Sequence, residues 1–521
     1  MAFGTVLSRI TGVARTAAIV AVIGFGPIAD AYTIANAIPN IIYTIVLGGA
    51  ITAVFLPQIM RAIEGGVEKS FTYTNKLLTA TALALLLLTL IAFLAAPLLM
   101  NIYGPADWPA DVRNTANTFA RFLLPQIFLF GLFAMLQQVL NARQHFAMPM
   151  YAPIANNLVV ISVAAALLLG INGSTSGTLS ETEVVLLGLG TTAGLLIQVL
   201  ILLPALRSIG FKFRLDFKFK NAGLLKPLKL ALWSIGFVAV NQISYIAITR
   251  LSASANVATT NLGETSIGFT SFQNAQLIFL LPYAVITVSL VTALFPRMAK
   301  AANNSDDSAL RTHLRVGLDG ILMTLLPASV FLFFTAPCLC VVLFARGASS
   351  LDESLATGQL VQMFCFGLIP FSIYYLLLRI FYSRENTSVP FYLNLSLNVI
   401  ALGGALIAYQ VLPVQSRVLG LVAAMVTSYI VSTAITLLVV RKVTRGLGLG
   451  RLFRTVTKSL LVSLVIGGVC WVSLTSIAPE VTNDMFRNLI ALVVASIASA
   501  GAFALIWRLL GIRNLRFSKS G

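Results

Sequence analysis

The sequence predicts an all-α polytopic membrane protein with about fourteen transmembrane helices, built as two six-helix lobes in a parallel repeat plus two C-terminal helices. Three observations carry this prediction. The 521 residues are 58% hydrophobic and only 10% charged, with mean hydropathy +0.92, more apolar surface than a water-soluble core can hide. The apolar runs approach the ~20 residues that cross a bilayer. The loops alternate between cation-rich and cation-poor, the signature of a chain threading back and forth under the positive-inside rule.

In chain order, the first span falls near residues 4–25 and carries Arg9 and Arg15. The second, 29–58, opens with Asp30 after GFGPIA and contains Pro39. YGPADWPADVRN separates the third (75–101) from the fourth (117–140), and a loop around Arg143 leads to the fifth, 149–171. NGSTSGTLSETE precedes the sixth, 184–206. The linker 207–229 holds seven Lys/Arg and ends the N-lobe, 1–206. The C-lobe, 229–440, follows this basic linker (207–228) with spans at 229–252, 266–296, 315–344, 357–382, 389–411 and 418–440. Residues 297–315 and 441–458 hold four and six cations, whereas NLGETS and SSLDES are cation-free. Spans at 457–478 and 487–509 and a basic tail, 510–521, complete the chain. The basic loops place both termini and the linker on the cytoplasmic side, facing anionic lipid. The net charge of +18 is spread over separate loops, which excludes a nucleic-acid surface. The first span lacks an A-x-A-like cleavage site and reads as retained.

An internal repeat underlies the two lobes. Arg143, Pro149, Tyr151 and Asn157 recur as Arg384, Pro390, Tyr392 and Asn398, each at an offset of 241 residues. TAVFLPQIMRA likewise echoes TALFPRMAKA. A six-span period keeps both copies in the same orientation, the parallel-repeat logic of many transporters.

Catalytic chemistry is poorly supplied. No G-x-x-x-x-G-K phosphate loop occurs. His145 and His313 lie apart in predicted loops, and the sparse acids form no carboxylate pair for acid/base work. Cys338, Cys340, Cys365 and Cys470 fall in apolar runs, as small hydrophobes do. Polar groups inside spans are the functional candidates. Arg9 lies near the inner interface, where it can snorkel or face substrate. Arg15 is more than a turn deeper and suits bidentate capture of phosphate in a watery cavity. Asp30 is open to two readings, an N-cap or a transport role. Asp319 and Arg379 are expected to pair at the interface or within the structure. Asn394 and Asn398 share a face and serve interhelical hydrogen bonding or a cation site. Pro39 and Pro282, similarly placed in the second and eighth spans, are expected as hinges or packing kinks.

These residues resemble the MurJ (MviN) lipid II flippases. The resemblance rests on SRITGVAR, the DAY-x-x-A-x-x-IPN stretch from Asp30 to Asn40, LNARQHFAMPMYAPIANN, TALFPRMAK and FYSRENTSVP. It implies two lobes around a central cavity. It also implies transfer of undecaprenyl-pyrophosphate-linked peptidoglycan precursor from the inner to the outer leaflet. Arg9, Arg15, Asp30 and Asn40 are then the implied substrate residues, Asn241, Asn394 and Asn398 a possible sodium site, and the last two helices a groove for the lipid tail. The chain departs from the family pattern where Tyr43 or Thr44 and Leu277 replace arginines and Gly48 and Thr16 replace acids. The expectation is a lipid II flippase of the bacterial cell membrane, not an enzyme, without a fixed cofactor, working by alternating access. It is driven by membrane potential or an ion gradient, with cell-wall synthesis proteins as possible partners. The rivals are an exporter of another undecaprenyl-linked glycan and a non-transporting scaffold.

Overall fold

The computed structural model describes residues 2–48, 59–60, 67–170, 179–217, 228–444, 446, 450–478, 480–482 and 484–509. Among them there is no strand. Eleven helical stretches are long and apolar enough to span a membrane, so the expected count of fourteen is not reached within the described residues. The remaining expected spans, 4–25, 29–58 and 229–252, fall on helices that border undescribed positions, and residues 49–58 of the second lie outside the described residues.

The chain divides into two compact units. Unit 1 comprises Met1–Ala239 with Arg346–Ser349. It contains α1 (Ala2–Ile23), α2 (Pro27–Tyr43), α3 (Val67–Leu94), α4 (Ala96–Tyr103), α5 (Ala110–Leu123), α6 (Gln126–Ala142), α7 (Ala147–Gly170), α8 (Glu181–Leu200) and α9 (Leu202–Ser208). Unit 2 comprises Val240–Ala345 and Ser350–Gly521. It contains most of α10 (Leu228–Asn261), then α11 (Phe269–Pro282), α12 (Val288–Asn303), α13 (Asp307–Phe344), α14 (Leu351–Ser383), α15 (Ser388–Val411), α16 (Arg417–Val443), α17 (Gly450–Ile477) and α18 (Met485–Leu509).

Several helices begin before the apolar run they serve, because capping groups set their ends. Ser180 and Glu183 form a reciprocal capping box at α8, with the Ser180 N–H donating to Glu183 Oε2 at 2.8 Å. Ser350 and Glu353 repeat it at α14. The Asp306 carboxylate accepts from Ala309 N–H at 2.9 Å and starts α13 well before residue 315. Small residues then let helices close up. A Cβ on Gly131 would stand 2.4 Å from Leu85, between α6 and α3.

The repeat is visible in each unit taken by itself. At the end of α6, Gln144 has φ 61°, and at the end of α14 Glu385 has φ 55°. In both turns the next residue reaches back, His145 N to Leu140 O at 2.9 Å and Asn386 N to Phe381 O at 3.0 Å. The packing recurs as well: α3 with α6, α5 with α8 and α7 with α8 in unit 1; α13 with α14, α14 with α16 and α15 with α16 in unit 2. The TAVFLPQIMRA half of the second echo lies mostly outside the described residues. The added pair, α17 and α18, packs on α13.

Candidate functional site

The α1–α2 hairpin carries the four expected substrate residues. Its turn is set by Gly24, at φ 67°, and by Pro27 at the start of α2. From the helix rise of ~1.5 Å per residue, Asp30 lies about 5 Å, Arg15 about 12 Å, Asn40 about 20 Å and Arg9 about 21 Å from that turn. The distances run along each helix separately: α1 packs mainly on α7, and α2 on α5 and α6. Arg9 and Asn40 are exposed, Arg15 is half-buried and Asp30 is fully buried. Neither arginine makes an ion pair among the described residues, where the recorded pair is Arg384–Asp307.

Asn157 on α7 fixes the rotation of α1. Its Nδ2 donates to Ser8 O at 3.2 Å and to Thr11 Oγ1 at 3.0 Å. A Cβ on Gly4 would touch the Tyr151 ring at 3.2 Å. Gly4, Ser8, Thr11 and Arg15 follow a 3.6-residue stripe, so Arg15 continues the α7-facing stripe while Arg9 stands about a third of a turn away. The arginines therefore do not share one face of α1. Asn157 was visible in the sequence as half of the Asn157/Asn398 pair, but its partner on α1 was not.

Asp30 is not an N-cap. That position is Gly26, and the Asp30 N–H bonds to Gly26 O at 3.2 Å inside the first turn. The Gly26-Pro27 signal placed the start earlier, since proline at the first helical position is pre-set for the turn. As a buried acid in a first turn, Asp30 benefits from the positive end of the helix. The far end of the hairpin turn is closed by Arg346–Ser349, a segment that belongs to unit 1. Ala348 N–H donates to Ala21 O at 2.8 Å, and nothing in the sequence marked this segment.

Pro39 lies inside α2, which passes into a π segment at Thr44–Gly48. Pro282 ends α11 and is followed by a π segment at Tyr283–Thr287. Both expected hinge positions thus precede a stretch where the regular i→i−4 ladder is loosened. Of the residues replacing family arginines, Tyr43 is half-buried and stacks on Phe130 at 6.3 Å, and Leu277 is partly exposed. Thr16 returns its hydroxyl to Gly12 O at 3.1 Å.

In unit 2 the structure brings Asn241, Asn394 and Asn398 together. Asn398 Nδ2 donates to Asn241 Oδ1 at 3.0 Å and to Asn394 O at 2.8 Å. A sodium ion would meet neutral oxygens there and compete with a hydrogen bond already made, so this arrangement fits a helix bridge better than a cation cage. No group of three His, Cys, Asp or Glu suited to a metal occurs among the described residues. The expected pairing of Asp319 with Arg379 does not form. Arg379 instead donates to the Tyr375 hydroxyl and lies over the Tyr375 ring at 4.3 Å, with Phe295 and Tyr382 nearby. Aromatic faces stabilise the cation there in place of a carboxylate. Asp319 keeps one buried oxygen without a partner. Beside α17, an apolar groove of about 390 Å³ runs between Leu326, Val330 and Phe334 of α13 and Leu464, Gly467 and Trp471 of α17.

Comparison with known proteins bears on the fold and the family. The family model described as "Lipid II flippase MurJ" matches residues 19–491. A probable lipid II flippase MurJ of Buchnera aphidicola is 28% identical over 74% of this chain and 72% of its own. One of Haemophilus influenzae is 23% identical over 98% of both chains. Among solved structures, a lipid II flippase MurJ in an inward closed conformation covers 98% of this chain and 99% of its own, with TM-score 0.73 at 20% identity. An inward-facing MATE-family multidrug resistance transporter covers 84% of this chain and 94% of its own, with TM-score 0.63 at 16% identity. The family match over most of the chain, on a fold shared with a solved lipid II flippase MurJ, assigns this protein to the lipid II flippase MurJ family.

Proposed function

We propose that this chain carries lipid II from the inner to the outer leaflet of the bacterial cell membrane by alternating access, in the service of peptidoglycan synthesis. The observation that carries the reading, beyond family membership, is the α1 pair Arg9 and Arg15, cations held in a membrane helix without a carboxylate partner among the described residues. Such cations are costly in lipid and demand an anion. In our reading Arg9 receives the pyrophosphate head near the cytoplasmic end and Arg15 holds it deeper with a bidentate fork. Asn40 donates to the head from α2, and Asp30 acts near the outer end. The loosened segments after Pro39 and Pro282 supply flexure. The groove beside α17 receives the apolar tail. Membrane potential supplies the bias, since an inside-negative potential drives a negative charge outward with a gain of ~2.3 kcal/mol per charge per 100 mV.

The test uses bacteria in which this chain is the sole flippase, with outer-leaflet lipid II measured by a lipid II-cleaving enzyme added outside. Exposure of lipid II that falls when the potential is collapsed supports the reading. A correctly inserted chain that exposes none removes lipid II as the substrate.

A further inference from the structure

The chain leaving α9 runs through FKFRLDF, Phe211 to Phe217, without helix or turn, and the Lys212 carbonyl and the Arg214 and Asp216 N–H groups, at alternate residues, all meet α3, as one edge of an extended strip does. Alternate side chains of extended backbone point to opposite faces. Phe213, Leu215 and Phe217 therefore share one face, and Lys212, Arg214 and Asp216 the other. Deeper, in the hydrocarbon core, such a strip would leave its backbone polar groups unpaired at a large cost. Here α3 supplies the partners through side chains. Asn75 Nδ2 donates to the Lys212 carbonyl at 3.0 Å, and Asn75 Oδ1 accepts from Arg214 N–H at 3.2 Å. Thr79 Oγ1 accepts from Asp216 N–H at 3.1 Å while donating to Asn75 O at 2.7 Å. Asn75 and Thr79 are buried in doing so. Phe211 locks the start of the strip edge-on against Phe71, with ring centroids 5.4 Å apart.

The attachment fixes the depth of the strip. Asn75 and Lys76 immediately precede residues 77–94, a charge-free run close in length to the ~20 residues of a hydrocarbon core. The strip thus lies where headgroups meet acyl chains. At that level Phe213, Leu215 and Phe217 are 55%, 64% and 60% exposed, and Lys212 and Arg214 are exposed beside them. Within the linker 207–229, seven cations face a single acid, Asp216.

We propose that Phe211–Phe217 is an interfacial anchor for anionic glycerophospholipid of the cytoplasmic leaflet. Its apolar face enters the acyl boundary, and Lys212 and Arg214 hold lipid phosphates. The leaflet assignment rests on the inward orientation of the linker adopted above. The anchor ties the start of the inter-lobe linker to the membrane surface through α3, which makes it a contact for bulk lipid separate from the substrate residues of α1.

The experiment places the full-length protein, carrying Phe213→Trp, in nanodiscs of phosphatidylglycerol and phosphatidylcholine, with bromines on the acyl chains of one lipid or the other. Fluorescence is taken as the difference from the unsubstituted chain. The proposal expects at least twofold stronger quenching when phosphatidylglycerol carries the bromines. The Lys212→Gln/Arg214→Gln pair, with unchanged elution and thermal transition, brings the two lipids to parity. Equal quenching with the cations intact overturns the anionic preference, and no quenching by either lipid overturns the interfacial placement. Labelling of Lys212→Cys by an impermeant maleimide added outside intact cells overturns the leaflet and the proposed topology, while leaving the nanodisc result to stand on its own.

Discussion

Replacing Gly347 by alanine tests the closure at the α1–α2 turn. Gly347 holds φ 61°, a conformation that costs a residue with a Cβ about 1–2 kcal/mol. The added Cβ would stand 2.1 Å from Ala21 O and 2.9 Å from Ala21 C. Both are backbone atoms, so the segment must lift rather than a side chain turn aside. Lifting loses the 2.8 Å bond from Ala348 N–H to Ala21 O, worth about 0.5–1.5 kcal/mol net. The total is about 1.5–3.5 kcal/mol of local stability, equivalent to roughly 10- to 300-fold faster opening at a tenfold change per 1.4 kcal/mol. Hydrogen exchange at the Ala348 amide reads this directly. Gly347→Asn separates the two terms, since asparagine tolerates a left-handed backbone but still meets Ala21. Gly501, with nothing within 4 Å of its Cβ position, provides the control, and Gly501→Ala is expected to gain about 0.5–1 kcal/mol. Protection at Ala348 unchanged by Gly347→Ala would refute the reasoning.

Other perturbations reach the remaining parts of the account. Asn157→Ala removes both bonds to Ser8 and Thr11. It should cost about 1–3 kcal/mol of thermal stability and lower lipid II exposure by loosening α1. Arg384→Gln breaks a half-exposed ion pair of 2.5 Å with Asp307, so its cost should stay within about 1 kcal/mol and vanish in molar salt. Its repeat counterpart Arg143 lies 4.1 Å over the Phe71 ring, and burial lowers its pKa from the usual arginine range. Arg143→Gln should therefore cost a similar amount with less dependence on salt. Gly467→Leu drives a side chain toward Phe334 and Val330, which a Cβ alone would approach to 3.1 and 3.2 Å. It should slow transport of long-tailed substrate while a short-chain analogue passes at the native rate.

The all-helical membrane class was legible because lipid contact writes itself into composition and loop charge. The 241-residue offset also relates the two left-handed turn residues, Gln144 and Glu385, which no residue identity marked in advance. Helix ends were less legible. Hydropathy marks what lipid touches, whereas Asp306 and the two capping boxes mark where hydrogen bonding begins, and these differ by several residues at α8, α13 and α14. The candidate site was legible as residue types and not as partners. Arg379 could have met Asp319, yet three aromatic rings on α12 and α14 took it first. Asp30 looked like a cap because its chemistry suits one, although Gly26 and Pro27 had already started the helix.

The most direct measurement of the central claim concerns Arg15. In cells relying on this chain alone, outer-leaflet lipid II would be quantified for the native protein, Arg15→Lys and Arg15→Ala at matched expression and insertion. The account predicts exposure by the native chain, partial retention by lysine, which keeps the charge but not the bidentate fork, and loss with alanine. Lipid II exposure by Arg15→Ala equal to that of the native chain would contradict it.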